Sequence, residues 1–214
     1  DGQAPAIFAM NEYNGFATKG GNNGESHNHI DVGTFILASD NRQIICDIGA
    51  GPYEDGYHTE RRYTFFNPSS YSHNIPIIDG EGEDSIARDD VIVKYDEGAS
   101  RAEMEFARAY GRDYIKSVKR AFDFTDSDII MRDAFDLSKK SEIVERFVSV
   151  IEPTFDGATL KIHNVKATAK GEIKPQVSIK MAKHHISGEE YPVYLIDYKL
   201  PEGKADFEIK FEVE

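Results

Sequence analysis

The second half of the chain carries the pattern that most restricts its fold. From residue 102 onward, short segments alternate apolar and polar residues, and turn residues separate one segment from the next. These segments are Glu103–Tyr110, Tyr114–Phe124, Asp128–Leu137, Ile143–Ile151, Thr159–Ile162, Gln176–Met181, Pro192–Tyr198 and Asp206–Val213. A period of two gives each strand one apolar and one polar face. The pattern therefore predicts an all-β fold, an antiparallel β-sandwich with one face of each sheet in solvent.

The first half is predicted to hold two hairpins and a long loop. An apolar run at 6–10 is followed by Asn14-Gly15, a strong hairpin signal. A second hairpin is predicted from the apolar runs 34–38 and 43–48. The stretch 49–72 reads as a loop rich in aromatic and charged residues, and long loops in compact domains usually carry function.

The chain length fits one domain of the larger all-β size. All 214 residues are assigned to a single β-sandwich, with a motif-bearing half at 1–98 and a scaffold half at 99–214. The segment Ser138–Glu145 is the one weak helix candidate. Because the first residue is Asp1 and not Met, we expect the chain to have been processed or cut from a longer protein.

Charge and composition exclude several classes of partner. The net charge is −13, from 38 acidic and 25 basic residues, so a nucleic-acid-binding surface over the whole domain is excluded. No apolar run approaches the roughly 20 residues of a membrane span, so none is predicted. The single cysteine, Cys46, cannot form an internal disulfide and is expected to be a small buried residue.

One motif in the first half stands apart from this scaffold. The stretch Gly20–Gly33 reads GGNNGESHNHIDVG and places His27, His29 and Asp31 at alternate positions. If the segment is extended, these three side chains point to the same side. Imidazole and carboxylate groups serve zinc coordination and acid–base chemistry, whereas they are poor material for a hydrophobic core.

Three residues from separate segments form a candidate metal site. They are His29, Asp47 and His73, and the second hairpin folds Asp47 back to within one short loop of His29. Two imidazoles and one carboxylate are a sufficient zinc set that leaves a fourth position open. The remaining candidates, His163, His184 and His185, read as ordinary strand or hairpin-tip residues.

Three stretches of the sequence resemble a known family. GGNNGESHNHIDVGTFIL, DIGAGPY and YSHNIPIIDG are similar to the C-terminal region of the heparinase II/III-like polysaccharide lyases, which include lyases of heparan sulfate and of alginate. The specific motifs cover residues 16–82. The resemblance implies that His29, Asp47 and His73 bind a structural zinc ion and that His27 lies at the substrate.

The resemblance also implies an activity and further site residues. Such enzymes remove the C5 proton of a uronic acid, after which the 4-oxygen leaves by β-elimination. A catalytic tyrosine is expected from the loop between Asp47 and His73, and Tyr57 and Tyr63 are both candidates. The predicted contacts to an anionic polysaccharide are Asn23, Glu25, Arg61 and Arg62.

Partners and location follow from the same resemblance. It implies that an N-terminal α/α toroid precedes this region in the parent chain and supplies much of the cleft, so we expect the 214 residues alone to be inactive or nearly so. It also implies export to the periplasm or the cell exterior. Two alternatives stay open, a non-catalytic carbohydrate-binding β-sandwich with a structural metal, and a metal-dependent hydrolase with an open zinc position.

Overall fold

The computed structural model describes residues 6–10, 14–125, 128–171 and 173–214 and is built from β-strands. The strands are β1 Ala6–Met10, β2 Asn14–Lys19, β3 Phe35–Ser39, β4 Arg42–Ile45, β5 Pro76–Ile78, β6 Lys94–Asp96, β7 Arg101–Glu105, β8 Ile115–Phe124, β9 Asp128–Leu137, β10 Ile143–Ser149, β11 Thr154–Asp156, β12 Thr159–Ile162, β13 Val165–Ala169, β14 Gln176–Lys183, β15 Glu190–Lys199 and β16 Asp206–Val213. Short 3₁₀ helices span Glu60–Thr64, Ser70–Ser72 and Ala107–Tyr110. Within the described residues, none of the helices has the length and apolarity that a membrane crossing requires.

The strands form three sheets in two layers. One sheet has eight strands in the order β11-β12-β13-β16-β9-β8-β7-β6, and two smaller sheets have the orders β1-β2-β3-β4 and β14-β15-β10-β5. The strand pairs recorded in the described residues are all antiparallel. The small sheets meet just after β4, where the Cys46 amide donates to the Val148 carbonyl at 2.9 Å. The predicted all-β antiparallel sandwich is confirmed.

A cluster of phenylalanine rings joins the layers. Phe35 of β3 lies 5.2 Å from Phe122 of β8, 5.7 Å from Phe147 of β10 and 5.9 Å from Phe211 of β16, between ring centroids. All four rings are buried, which is favourable because apolar surface leaves water and the edge-to-face contacts add attraction. Since β3 follows the motif loop directly, this core anchors one end of that loop.

Both predicted hairpins are present, with one correction. β1 and β2 pair with Met10 opposite Gly15, so Asn14-Gly15 lies in a strand and not in the turn. The intervening residues 11–13 lie outside the described part of the chain. In the second hairpin, Asp40 and Asn41 both have positive φ, 49° and 58°, the backbone conformation that a two-residue hairpin turn requires.

The second half follows the predicted alternation, with exceptions. The weak helix candidate Ser138–Glu145 was wrong, because Ile143 opens β10 and pairs with both neighbouring strands of its sheet. The segment Glu103–Tyr110 is a strand only as far as Glu105 and then becomes a 3₁₀ turn. The short strands β6, β11 and β13 were not predicted. The scaffold and motif halves share sheets, since β5 pairs with β10 and β6 pairs with β7.

Candidate metal and substrate site

The motif loop at 20–33 is a series of turns, so the expected extended geometry is wrong. His27 has a left-handed backbone with φ of 60°, which breaks the alternation of faces. As a result His27 is exposed, His29 is half-buried and Asp31 is buried. The three side chains therefore lie at different depths, with His27 facing solvent and His29 facing the interior.

Asn23 organises the inside of this loop. Its Oδ1 accepts from the Asp31 amide at 3.2 Å, and its Nδ2 donates to Glu83 Oε2 at 2.8 Å. Its carbonyl also accepts from Asn28 Nδ2 at 2.5 Å. Asn23 is 2% exposed, so its amide serves the inside of the loop, and its predicted contact with substrate stays a prediction. Glu25 is half-buried at the loop surface, and its predicted substrate contact stays a prediction.

The structure brings the three predicted metal-binding side chains together. His29 Nδ1 lies 3.1 Å from His73 Nε2, and His73 Nε2 lies 3.7 Å from Asp47 Oδ2. One ligand atom from each residue lies within 4.8 Å of the other two. Ligand atoms of a tetrahedral zinc site are separated by about 3.4 Å, given zinc–ligand bonds of about 2.0 to 2.2 Å. The spacing of this cluster therefore suits a zinc ion.

The protonation of the two imidazoles also fits a metal. His73 is fully buried, and its Nδ1 lies 2.8 Å from the Ser69 carbonyl oxygen. Because a carbonyl only accepts, Nδ1 is the donor in this contact, and Nε2 is the ring nitrogen that faces the cluster. Burial and the adjacent His73 lower the pKa of His29 to about 4, so the His29 imidazole is neutral at pH 7 and can offer a lone pair.

Asp47 supplies the negative charge of the cluster. Burial by itself raises its pKa, but the facing His73 and the Gly49 amide outweigh burial and hold the pKa below its ordinary value. The Gly49 amide donates to Asp47 Oδ1 at 2.6 Å and fixes the carboxylate. Two imidazoles and one carboxylate thus converge, and this donor set fits zinc.

A second carboxylate approaches the cluster from the motif loop. Asp31 Oδ2 lies 4.0 Å from His73 Nε2, while its Oδ1 lies 2.6 Å from Lys19 Nζ. The motif predicts that Asp31 lies near the histidines, whereas nothing in the sequence indicates a contact with Lys19. Because Oδ1 of Asp31 is paired with Lys19, only its Oδ2 faces the cluster.

The aromatic loop places one of its two candidate tyrosines against the motif loop. Tyr63 donates from its hydroxyl to Asn28 Oδ1 at 2.8 Å, between the two motif histidines. Tyr57 is 4% exposed, and burial raises the pKa of its hydroxyl, with the nearby Arg62 opposing. The Arg62 guanidinium lies 5.4 Å from both ring centroids, whereas Arg61 is exposed.

Asn74 ties the metal-site segments to both small sheets. Its Nδ2 donates to the carbonyls of Phe35 at 2.7 Å and Cys46 at 3.0 Å, and its Oδ1 accepts from the Val148 amide at 2.7 Å. Asn74 therefore joins the start of β3, the end of β4 and β10 at one point. The sequence analysis used the His73-Asn74 pair only as part of a motif, and the structure shows what the asparagine does.

Arg120 of β8 was missed as a residue that supports the site. It is fully buried and forms ion pairs with Asp133 at 2.5 Å and Glu145 at 3.1 Å. A signal was present in the sequence, because Arg120 alternates with Val118 and Phe122 on the inward face of its strand. A charged residue in that phase indicates a buried ion pair.

The remaining predicted surface histidines lie in turns and are not members of the cluster. His163 sits in the turn between β12 and β13, 3.5 Å from Asp40. His184 and His185 belong to the turn between β14 and β15. As expected, Cys46 is a free and buried cysteine, and burial raises the pKa of its thiol to about 12.

The fold and the cluster together define an antiparallel β-sandwich whose loops converge on a possible His–Asp–His metal site. The family model described as "Heparinase II/III-like, C-terminal" matches residues 8–185. The chain belongs to this family, as its resemblance predicted. No curated protein sequence gives a significant match.

Solved structures show the same fold. A heparinase III has a TM-score of 0.75 and 13% identity, and the match covers 99% of this chain and 34% of that one. The heparan sulfate lyase HepC from Pedobacter heparinus has a TM-score of 0.71 and 12% identity, covering 99% and 35%. A further heparinase III structure, with 16% identity and a TM-score of 0.71, also covers 99% and 35%. The chain thus spans about a third of the length of these solved relatives.

Proposed function

We propose that this chain is the C-terminal domain of a polysaccharide lyase that cleaves a uronic-acid-containing polysaccharide, a glycosaminoglycan or alginate, by β-elimination. The observation that carries the proposal is the convergence of His29, Asp47 and His73 beneath a loop that exposes His27. Family membership and the heparan sulfate lyase named among the structural relatives support it. A periplasmic or secreted location is part of the proposal, because such polymers are extracellular.

His29, Asp47 and His73 would hold a zinc ion. When bound, the zinc would supply a fixed positive centre that holds the three segments in place. The residues of the chain would do the rest. The hydrogen bond from His73 Nδ1 to Ser69 orients one ligand, and the Gly49 amide orients another, Asp47.

The substrate chemistry would fall to side chains around the motif loop. The C5 proton of a uronate is weakly acidic, and its removal moves negative charge onto the carboxylate, which must be neutralised. Arg62 and the exposed Arg61 are suited to face that carboxylate. Tyr63 and His27 are suited to move the protons, since Tyr63 touches the motif loop and the ordinary pKa of histidine is near 6.5. Glu25 would contact a neighbouring sugar, whereas Asn23 would hold the loop.

The substrate cleft is proposed to need a second domain of the parent chain. Its net charge of −13 makes the domain a poor receptor for a polyanion by itself. An N-terminal α/α toroid in the parent chain would complete the cleft, and the 214 residues would be inactive alone. Absorbance of the unsaturated product, measured for the 214-residue chain and for the full-length protein, tests this point. Equal rates would contradict it.

The main test separates catalysis from metal binding in the full-length protein. The His27→Ala variant should lose lyase activity on heparan sulfate, hyaluronan and alginate while keeping its zinc content and melting temperature. The His29→Ala variant should lose zinc, and His163→Ala, in a distant turn, serves as the control for both measurements. A His27→Ala variant with wild-type activity would defeat the proposal.

A non-catalytic carbohydrate-binding module is the second candidate. The exposed ring of Tyr53, in contact with other rings, favours it, because exposed aromatic rings pack on sugar faces. In that case the full-length protein would bind the polysaccharide and release no unsaturated product. The same absorbance assay, combined with a binding measurement, separates the two functions.

A further inference from the structure

A group of aromatic rings with one exposed member lies beside the site, and the proton transfers proposed for Tyr63 and His27 do not use it. We call it the aromatic platform, and it consists of Tyr53, Tyr57, His58 and His185. The Tyr53 ring centroid lies 4.6 Å from that of Tyr57, 4.9 Å from that of His58 and 4.3 Å from that of His185. Tyr53 is 56% exposed, so one large aromatic ring faces solvent on top of this group.

The platform is held in place by two separate parts of the chain. His185 comes from the turn between β14 and β15, and its Nδ1 donates to the Gly51 carbonyl at 2.9 Å. Tyr57 forms the floor, because it is 4% exposed and stacks on Phe65 with centroids 5.9 Å apart. Rings fixed in this way lose little conformational entropy when a ligand binds.

A continuous row of contacts leads from the platform to the motif loop. The Arg62 guanidinium lies 5.4 Å from the Tyr57 ring and 5.4 Å from the Tyr63 ring. Tyr63 in turn bonds Asn28, which stands between His27 and His29. A cationic group therefore lies between an exposed aromatic surface and the residues proposed for catalysis.

We propose that the aromatic platform is a distal sugar-binding subsite, on which one pyranose ring of the polysaccharide stacks against Tyr53 while its cleaved linkage lies at the motif loop. This rests on the proposed function. Pyranose rings have an apolar C–H face that packs on an aromatic ring, and Arg62 is placed to meet an acidic group of one of the intervening sugars.

The charge around the platform supports ring stacking over anion binding. The exposed acidic residues Glu54 and Asp55 follow Tyr53 directly and would repel a sulfate or carboxylate at that point. The apolar face of a sugar has no such conflict. The occupant is therefore a sugar ring held by its face, and the nearest basic side chain in the row of contacts is Arg62.

The test uses steady-state kinetics of the full-length protein on long heparan sulfate, hyaluronan and alginate chains and on the tetrasaccharides of the polymer that is cleaved. Tyr53→Ala should raise KM for the long chain by about 3- to 10-fold, with kcat within about twofold and the tetrasaccharide unaffected. His185→Ala should also raise KM for the long chain. Tyr53→Phe should have the wild-type KM, because the aromatic ring is kept. Tyr95→Ala, a 50% exposed tyrosine on β6, is the matched control.

Three outcomes are informative. A KM that rises for long chains only, and recovers in Tyr53→Phe, supports the subsite. An active protein in which Tyr53→Ala leaves the KM of long chains unchanged, or changes long and short substrates equally, overturns the subsite but leaves the lyase proposal standing. A wild-type protein that cleaves none of the three polymers overturns the proposed function, and the subsite falls with it.

Discussion

Arg120 donates a hydrogen bond of 2.7 Å from Nη1 to the carbonyl oxygen of Asn74, the residue that follows His73. The same nitrogen donates to the carbonyl of Gly33, the last residue of the motif loop, at 2.8 Å. One buried guanidinium in the eight-stranded sheet thus holds both segments that present the candidate metal-binding histidines. The geometry of the site depends on the scaffold through this side chain.

Replacing Arg120 should therefore disturb both stability and the site. Arg120→Met leaves Asp133 and Glu145 buried without their cation and frees two backbone carbonyls. We expect the free energy of unfolding to fall by about 3 to 5 kcal/mol, the usual cost of removing one partner from a buried ion pair. Urea unfolding of the full-length protein measures this loss.

A surface ion pair provides the control for Arg120. Arg132 pairs with Glu208 at 2.7 Å, and its side chain is 38% exposed. Arg132→Met should change the unfolding free energy by less than about 1 kcal/mol, because solvent screens exposed pairs. If Arg120→Met and Arg132→Met lower the free energy of unfolding equally, the buried Arg120 guanidinium does not stabilise the fold more than a surface ion pair does.

Asn74 should affect zinc affinity although it is not itself one of the proposed metal ligands. Asn74→Ala removes the amide that joins β3, β4 and β10, and leaves the Val148 amide without its acceptor. We expect zinc affinity to fall by about 10- to 100-fold, the range found for residues that orient metal ligands. Competition with a zinc chelator measures the change, and Asn22→Ala, a half-buried loop asparagine, is the control. Equal affinities in the two variants would contradict the prediction.

The alternation of residues was enough to predict the sandwich, because strands such as β9 and β16 alternate buried and more exposed positions. The prediction failed where a turn-forming glycine or residues of low β propensity interrupt the pattern. Gly111, with φ of 62°, ends the 3₁₀ turn of Ala107–Tyr110, which interrupts the predicted Glu103–Tyr110 strand. β13 was missed because its buried positions include two alanines, residues with little β propensity.

The candidate metal site could be proposed from sequence because imidazole and carboxylate are common zinc ligands and the three residues lie in stretches that resemble a known family. The same reasoning placed Asn23 at the substrate, since sequence gives no measure of depth within a loop of turns. Arg120 lies outside the motif stretches, and the motif that contains Asn74 does not reveal which carbonyls its amide binds. Their roles depend on distant segments coming together, and only the folded chain shows that.

The two candidate tyrosines should differ in their effect on activity. Tyr63 donates a hydrogen bond to the motif loop, whereas the Tyr57 hydroxyl has no partner of normal geometry in the described residues. In the full-length protein we expect Tyr63→Phe to lower kcat by about 10²- to 10⁴-fold, the usual contribution of a general acid or base. Tyr57→Phe should stay within about threefold of wild type, since the Tyr57 hydroxyl interacts with Arg62 and no bond to the motif loop is lost. Product absorbance measures both, and a reversed order would identify Tyr57 as the functional residue.

Glu83 gives the fold a predictable dependence on pH. It is 8% exposed, and burial raises its pKa from 4.5 to about 8, while the bond from Asn23 opposes the rise. Between pH 4.5 and 8 the folded chain therefore holds a proton that the unfolded chain has released. This group favours folding most below pH 4.5, and its contribution declines as the pH rises and is exhausted above about pH 8.

Glu83→Gln should remove that part of the pH dependence. Glutamine keeps an oxygen that can accept from Asn23 and from the Val32 amide, and it carries no charge at any pH. We expect the variant to unfold within about 1 kcal/mol of wild type at pH 5 and to be more stable by on the order of 1 to 3 kcal/mol at pH 9. Urea unfolding at the two pH values gives the difference, and Glu81→Gln, on an exposed side chain paired with Arg112, is the control. A stability difference for Glu83→Gln that does not change between pH 5 and pH 9 would show that this carboxyl titrates normally in the folded protein.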